Sequence, residues 1–183
     1  MIYKIAVIGQ QCSGKTTAAK FFAQKFDIKK FVKIADPIYD TLKALRQEKH
    51  RAFMQQFADL AKEHFGEEIL VEIFKQNVLE IENSYRNMFA DTLIVCDDIR
   101  FPYELKTVQD ELGFIMIAID APAEVRKVRA EKLGLQFIEN HNSELLVPQL
   151  IPQADYIIKD NGISMDELKE EVEWIYSDIS VST

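Results

Sequence analysis

The tightest constraint on this chain lies near its start. Gly9-Gln10-Gln11-Cys12-Ser13-Gly14-Lys15-Thr16 fits the pattern G-x-x-x-x-G-K-[ST] at every fixed position. Before it, residues 2–8 form an apolar, β-branched run that reads as a buried strand. After it, residues 16–26 carry Ala18, Ala19, Phe21, Phe22 and Phe26, which suits a helix packed on a sheet. Strand, glycine loop and helix in that order are what a phosphate-binding loop needs. Gly9 and Gly14 allow backbone approaches that a Cβ would block. Successive N–H groups then face phosphate oxygens at the positive end of the helix. Gly9, Cys12, Ser13, Gly14, Lys15, Thr16 and Thr17 are the expected contacts. Lys15 would reach the β- and γ-phosphates, and the Thr16 hydroxyl would hold Mg²⁺. The alternative, a glycine-rich turn that happens to contain Lys-Thr, is disfavoured by both flanks.

A length of 183 residues predicts one domain, 1–183, with a substantial core. The net charge of −8 argues against a general nucleic-acid-binding surface, although a local cationic cluster can still hold a small phosphorylated ligand. Two cysteines, Cys12 and Cys96, make no disulfide framework and suit a reducing cytoplasm. No apolar run of about 18 residues predicts a membrane span, and no signal peptide is expected.

Taken in order, the chain alternates strands with helices. Residues 31–35 read as a second short strand, and Asp36-Pro37 opens a helix, Asp as cap and Pro in its first turn. Residues 51–65 and 67–81 each place apolar side chains on one helical stripe and predict a helical arm between the second and third strands. Residues 93–96 are the next buried strand. A helix starts at Phe101-Pro102, carries Leu105, Val108 and Leu112 inward, and stops at Gly113. Residues 114–119 form a fourth strand, followed by a helix over 122–133. Residues 134–153 read as irregular, and 156–158 as a fifth strand. Ser164-Met165-Asp166-Glu167 is a capping box that starts a last helix. Such alternation predicts a parallel sheet covered by helices on both faces.

In open α/β sheets ligands bind beyond the C-terminal ends of the strands. After the second strand comes Asp36, which either orients a phosphate acceptor or caps the helix. After the third come Asp97, Asp98 and Arg100. An apolar strand ending in Asp is where phosphate-loop enzymes keep the carboxylate of the Mg²⁺ shell, and the two acids could otherwise cap the next helix. Arg100 either grips an acceptor phosphate or pairs with Glu104 on the surface. After the fourth strand, Arg126 and Arg129 lie three apart on one helical face. They either neutralise charge on a migrating phosphoryl group from a mobile lid or form a solvated face. His141, Ser143 and Glu144 follow in the irregular stretch, and no His/Cys cluster there predicts a transition-metal site.

Gly9…Gly14-Lys15-Thr16-Thr17, Ala35-Asp36-Pro37, Asp98-Ile99-Arg100-Phe101-Pro102-Tyr103-Glu104 and His141-Asn142-Ser143-Glu144 together resemble the bacteriophage-type deoxynucleoside monophosphate kinases over residues 1 to about 175. The resemblance implies a P-loop nucleoside monophosphate kinase-like fold with a five-stranded parallel sheet in the order 2-3-1-4-5. It also implies a helical substrate arm, about residues 37–90, and a lid, about 126–146. ATP with Mg²⁺ would be the donor and a (deoxy)nucleoside 5′-monophosphate the acceptor. Carried over, Lys15 and Thr16 serve ATP and Mg²⁺, and Asp98 and Arg100 serve metal and acceptor. Arg126 and Arg129 match lid arginines in placement, while Asp36, Glu104, His141 and Glu144 fall at the acceptor side. Kinases of other small metabolites, dephospho-CoA kinase among them, share this architecture. A non-catalytic nucleotide-binding protein is a further alternative. A GTP switch is disfavoured by the lack of Asn-Lys-x-Asp and of Asp-x-x-Gly after the third strand. The apolar content of the helical arm is compatible with a homodimer.

Overall fold

The computed structural model describes residues 1–48, 50–137 and 142–181, with the side chains of Arg51 and Ser143 excepted. Strand β1 (Ile2–Ile8) occupies the middle of the sheet. Its side chains alternate between two cores: Ala6 and Ile8 enter one, Ile5 and Val7 the other. A strand wetted on one side would need polar residues at every second position, whereas one buried on both sides reads as continuously apolar. Strands β2 (Ile28–Phe31), β3 (Thr92–Cys96), β4 (Ile115–Asp120) and β5 (Tyr156–Lys159) complete a five-stranded sheet in the order β2-β3-β1-β4-β5. Every pairing is parallel, with Ile2 opposite Thr92 and Ile5 opposite Ile115. The order expected from the sequence is therefore observed.

Helix α1 (Lys15–Ala23) covers one face of the sheet with Ala18, Ala19 and Phe22. Helices α2 (Asp36–Ala44), α3 (Arg51–Phe65) and α4 (Ile69–Tyr85) lie between β2 and β3 in sequence, and α4 packs Phe74 and Val78 on the opposite face. Phe22 and Phe74 are fully buried, so truncating either to alanine is worth about 3–5 kcal/mol of stability. Helix α5 (Pro102–Lys106) follows β3, α6 (Ala123–Lys132) follows β4, and the short α7 (Asn142–Leu145) and α8 (Val147–Leu150) precede β5. Helix α9 (Met165–Val181) closes the first face beside α1 through Leu168, Val172 and Ile175. Its capping box is formed: the Ser164 amide donates to Glu167 Oε2 at 2.7 Å, and the Glu167 amide donates to Ser164 Oγ at 3.2 Å. Among the described residues no helix is long and apolar enough to cross a membrane.

Three elements differ from the sequence reading, each for a local reason. The second strand ends at Phe31 rather than running over 31–35. The Val32 amide still reaches Val95 O at 3.0 Å, but the amides of Lys33, Ile34 and Ala35 are captured by the carboxylates of Asp36 and Asp98. The helix after Pro102 widens into a π turn over Thr107–Glu111, which keeps Val108, Leu112 and Phe114 in one core. Residues 134–153, read as irregular, contain α7, α8 and a 3₁₀ turn at Ile151–Gln153. Four-residue helices are too short to show a period.

Candidate active site

The glycine loop joins the C-terminal end of β1 to α1. A Cβ at Gly9 would lie 2.4 Å from Ser13 Oγ and 3.0 Å from the Ile119 carbonyl oxygen, so only glycine fits there. Gly14 precedes the helix at φ 96°, and Cys12 adopts φ 61°, a left-handed conformation that non-glycine residues rarely accept. The amides of Thr17 and Ala18 both donate to the Gly14 carbonyl at 3.0 Å, so α1 starts directly from the loop. Ser13 Oγ is buried there without a hydrogen-bond partner. Lys15 bends back to donate to the Gln10 carbonyl at 3.2 Å. Burial, and next the nearby Arg100 guanidinium, push its ammonium down to about 7.

The two acids after β3 diverge. Asp97 accepts from the Thr16 hydroxyl at 2.6 Å and from Lys33 Nζ at 2.7 Å. Burial opposes its ionisation, but those two hydrogen bonds together with the charges of Lys33 and Lys15 outweigh it and hold the carboxyl below its ordinary value. Asp98 is turned to the end of β2, where its oxygens accept the amides of Ile34 and Ala35, both at 3.0 Å. Of the pair, Asp97 is the one that meets the loop. Lys33 at this corner was not among the residues singled out from the sequence. The sequence places it inside the strand expected over 31–35, and only the end of β2 at Phe31 puts it at a strand end. Asp36 is the first residue of α2 and not its cap; its Oδ2 reaches back to the Lys33 amide at 2.8 Å. Burial raises its carboxyl above the ordinary value.

Arg100, Glu104 and Glu144 converge on the other side of the loop. Arg100 NH1 donates to Glu144 Oε1 at 2.9 Å and lies 3.4 Å from the Gly9 carbonyl oxygen. The second Glu144 oxygen accepts the Gln11 amide at 2.7 Å, and the Glu144 carbonyl accepts from Gln10 Nε2 at 3.1 Å. Glu144 is thus a buried carboxylate seated against the loop. Glu104 does not pair with the Arg100 side chain. It is buried and accepts the backbone amides of Arg100 at 2.7 Å and Phe101 at 3.1 Å, a clamp on the segment that carries Arg100. Burial pushes its carboxyl up to about 7 in spite of those two bonds. His141 lies outside the described residues.

Arg126 and Arg129 both come from α6, a helix that buries Ala130 completely. Arg126 is itself buried; its Nε donates to the Ala121 carbonyl at 3.0 Å, its guanidinium faces the Phe137 ring, and its NH1 has no hydrogen-bond partner. Arg129 forms a two-pronged pair with Asp160, NH1 to Oδ2 at 2.6 Å and NH2 to Oδ1 at 3.1 Å, and donates to the Ser13 carbonyl at 3.3 Å. The lid arginines expected from the sequence are therefore held in place by packed structure. Glu124, Val125, Val128, Arg129, Lys132, Gly162 and Ile163 line a cleft of about 410 Å³, and of these Arg129 also touches the loop, at the Ser13 carbonyl. Asp160 follows the fifth strand, so it occupies a strand end of the kind where α/β sheets bind ligands, although no motif in the sequence marks it.

No protein-family model matches the chain, and no curated protein matches it. Solved structures do. A shikimate kinase from Aquifex aeolicus is 15% identical, with a TM-score of 0.52 over 98% of this chain and 99% of its own. A putative kinase from Chloroflexus aurantiacus is 15% identical, with a TM-score of 0.56 over 99% of this chain and 97% of its own. A sugar kinase from a Janibacter species is 17% identical, with a TM-score of 0.51 over 93% and 92%. At such identities the likeness is one of fold. Together with the sheet order and the glycine loop, it defines the class: a P-loop fold of the nucleoside monophosphate kinase-like type. None of the three is named as a deoxynucleoside monophosphate kinase.

Proposed function

We propose that this protein is an ATP-dependent small-molecule kinase, and that its acceptor is a (deoxy)nucleoside 5′-monophosphate, which it converts to the diphosphate with release of ADP. The observation that carries the reading is the 2.6 Å contact between the Thr16 hydroxyl at the loop's end and Asp97 at the end of β3. A hydroxyl and one carboxylate side by side fit Mg²⁺, which takes hard oxygen ligands, keeps several waters and draws its remaining ligands from substrate phosphates. Thr16 and Asp97 would hold the ion, Asp97 with or without water between; when bound, it neutralises charge on the donor phosphates.

The chain's own residues supply the rest. Loop amides orient the donor's phosphate tail, and Lys15 swings from the Gln10 carbonyl to the phosphates. Arg129, fixed beside Ser13, and Arg126, whose NH1 nitrogen has no hydrogen-bond partner, place positive charge where negative charge grows during transfer. The cleft beside Arg129, where Val125, Val128 and Ile163 supply apolar contact and Glu124 and Lys132 supply charge, is the place for the donor's base. Arg100, beside the Gly9 carbonyl of the loop, is the cation for an acceptor phosphate, with Asp36 at the start of α2 as a second acceptor-side group.

One observation favours a second acceptor class. Asp36, with its carboxyl raised by burial, could take a proton from an alcohol, and the solved neighbours include kinases of shikimate and of sugars. The test is an ADP-release assay with ATP, Mg²⁺ and a panel of deoxynucleoside and nucleoside monophosphates, dephospho-CoA and hydroxylated metabolites. Turnover with at least one monophosphate, abolished in Lys15→Ala, is expected. Turnover only with non-nucleotide acceptors overturns the acceptor assignment. ATP binding with no product from any acceptor overturns the kinase reading in favour of a nucleotide-binding protein.

A further inference from the structure

Asp160 follows β5 and is fully buried, yet it is charged and lies outside every role assigned above. Its own amide donates to the Asp120 carbonyl at 2.9 Å, so the β4–β5 ladder fixes its backbone. Its carboxylate then makes four contacts. Two hold the Arg129 guanidinium in a fork, at 2.6 and 3.1 Å. Two accept backbone amides of the next turn, Gly162 at 3.0 Å and Ile163 at 3.1 Å. Arg129 NH1 in turn meets the Ser13 carbonyl of the glycine loop, and Gly162 and Ile163 are walls of the cleft beside it.

One carboxylate therefore sets the direction of the cation at the phosphate loop and the backbone of the cleft wall. A long arginine side chain on a helix surface has many rotamers, and a planar guanidinium gripped at two nitrogens has few. The pair's exposure is lopsided: Asp160 is sealed, whereas the Arg129 side chain remains 29% exposed and is one of the residues that line the cleft.

We infer that Asp160 is a positioning residue for phosphoryl transfer: it aims Arg129 at the phosphate loop and couples that aim to the 162–163 wall of the neighbouring cleft. The inference rests on the kinase reading above. It assigns Asp160 no contact with substrate; the residue acts through Arg129.

The test is a double-mutant cycle on the full chain, with kcat and KM for ATP measured on an acceptor that the wild type turns over. Asp160→Asn keeps an oxygen for the Gly162 and Ile163 amides and removes the charge that forks Arg129. It is expected to lower kcat on the order of a hundredfold with KM for ATP changed by less than about threefold. In an Arg129→Met background the same change is expected to cost no more than about twofold, because the side chain it aims is gone. An equal loss in both backgrounds, or an unchanged kcat in Asp160→Asn, overturns the inference. Should Asp160→Asn fail to fold, Arg129→Lys takes its place. Its single ammonium cannot span both oxygens, so a kcat loss of at least about tenfold is expected; wild-type kcat in that variant overturns the inference. If the wild type transfers no phosphoryl group, the kinase reading fails separately. The coupling is then read without turnover, from hydrogen exchange of the Gly162 and Ile163 amides, where faster exchange in Arg129→Met supports it and wild-type protection overturns it.

Discussion

Glu104→Gln isolates the energetic cost of a buried carboxylate that the site uses to hold its own backbone. Glutamine keeps a side-chain oxygen for the Arg100 and Phe101 amides and nearly the same volume, but it carries no charge. In the folded chain burial pushes the Glu104 carboxyl up to about 7, against an ordinary value of 4.5. Between those two values the folded chain holds a proton that the unfolded chain has released. The stabilisation linked to this group is therefore complete below pH 4.5 and lost as the pH rises through 7. At about 1.4 kcal/mol per tenfold in proton affinity, the whole window amounts to roughly 3 kcal/mol, most of it falling between pH 5 and 8. The measurement is urea unfolding of the wild type and Glu104→Gln at each pH from 5 to 8, taking the difference in unfolding free energy so that other titrating groups cancel. Relative to the variant, the wild type is expected to lose about 2–3 kcal/mol over that range. A difference that stays flat, or that moves in favour of the wild type as pH rises, refutes the assignment of Glu104 as a desolvated backbone clamp.

Gly9→Ala places a methyl group 2.4 Å from Ser13 Oγ and 3.0 Å from the Ile119 carbonyl oxygen, so the loop must shift. ATP affinity by calorimetry is expected to fall at least about tenfold with the far-ultraviolet circular dichroism unchanged. The two acids after β3 are expected to separate by metal response. Asp97→Asn should raise the Mg²⁺ concentration for half-maximal turnover on the order of tenfold. Asp98→Asn, whose wild-type oxygens hold Ile34 and Ala35, should lower the melting temperature and leave the Mg²⁺ requirement near that of the wild type.

The residues that announce themselves in this chain do so through local chemistry. A glycine at position 9, a glycine ahead of Lys15 and an apolar run on either side can be read without knowing where the rest of the chain goes, because a phosphate loop is made by contiguous backbone. The parallel sheet is legible for the same reason: β1, β3 and β4 are apolar at successive positions, and only strands buried on both faces need that.

What stayed hidden depends on partners far apart in sequence. Asp97 and Asp98 are adjacent and chemically identical, and what separates them is that Thr16 stands beside one and the backbone of residues 34–35 beside the other. The early end of β2 has the same origin, since amides that would have joined the ladder go to carboxylates, Asp98 among them from 63 and 64 residues away. Arg129 is legible as a cation on a helix, but its fixed aim comes from Asp160, 31 residues on, and Glu144 comes to the loop from 133 residues away. The sequence alone determined the loop, the sheet class and the inventory of charges. Only the tertiary structure decided which charges meet, because the strength and direction of an ion pair or a hydrogen bond are set by distances of a few ångströms that no spacing along the chain encodes.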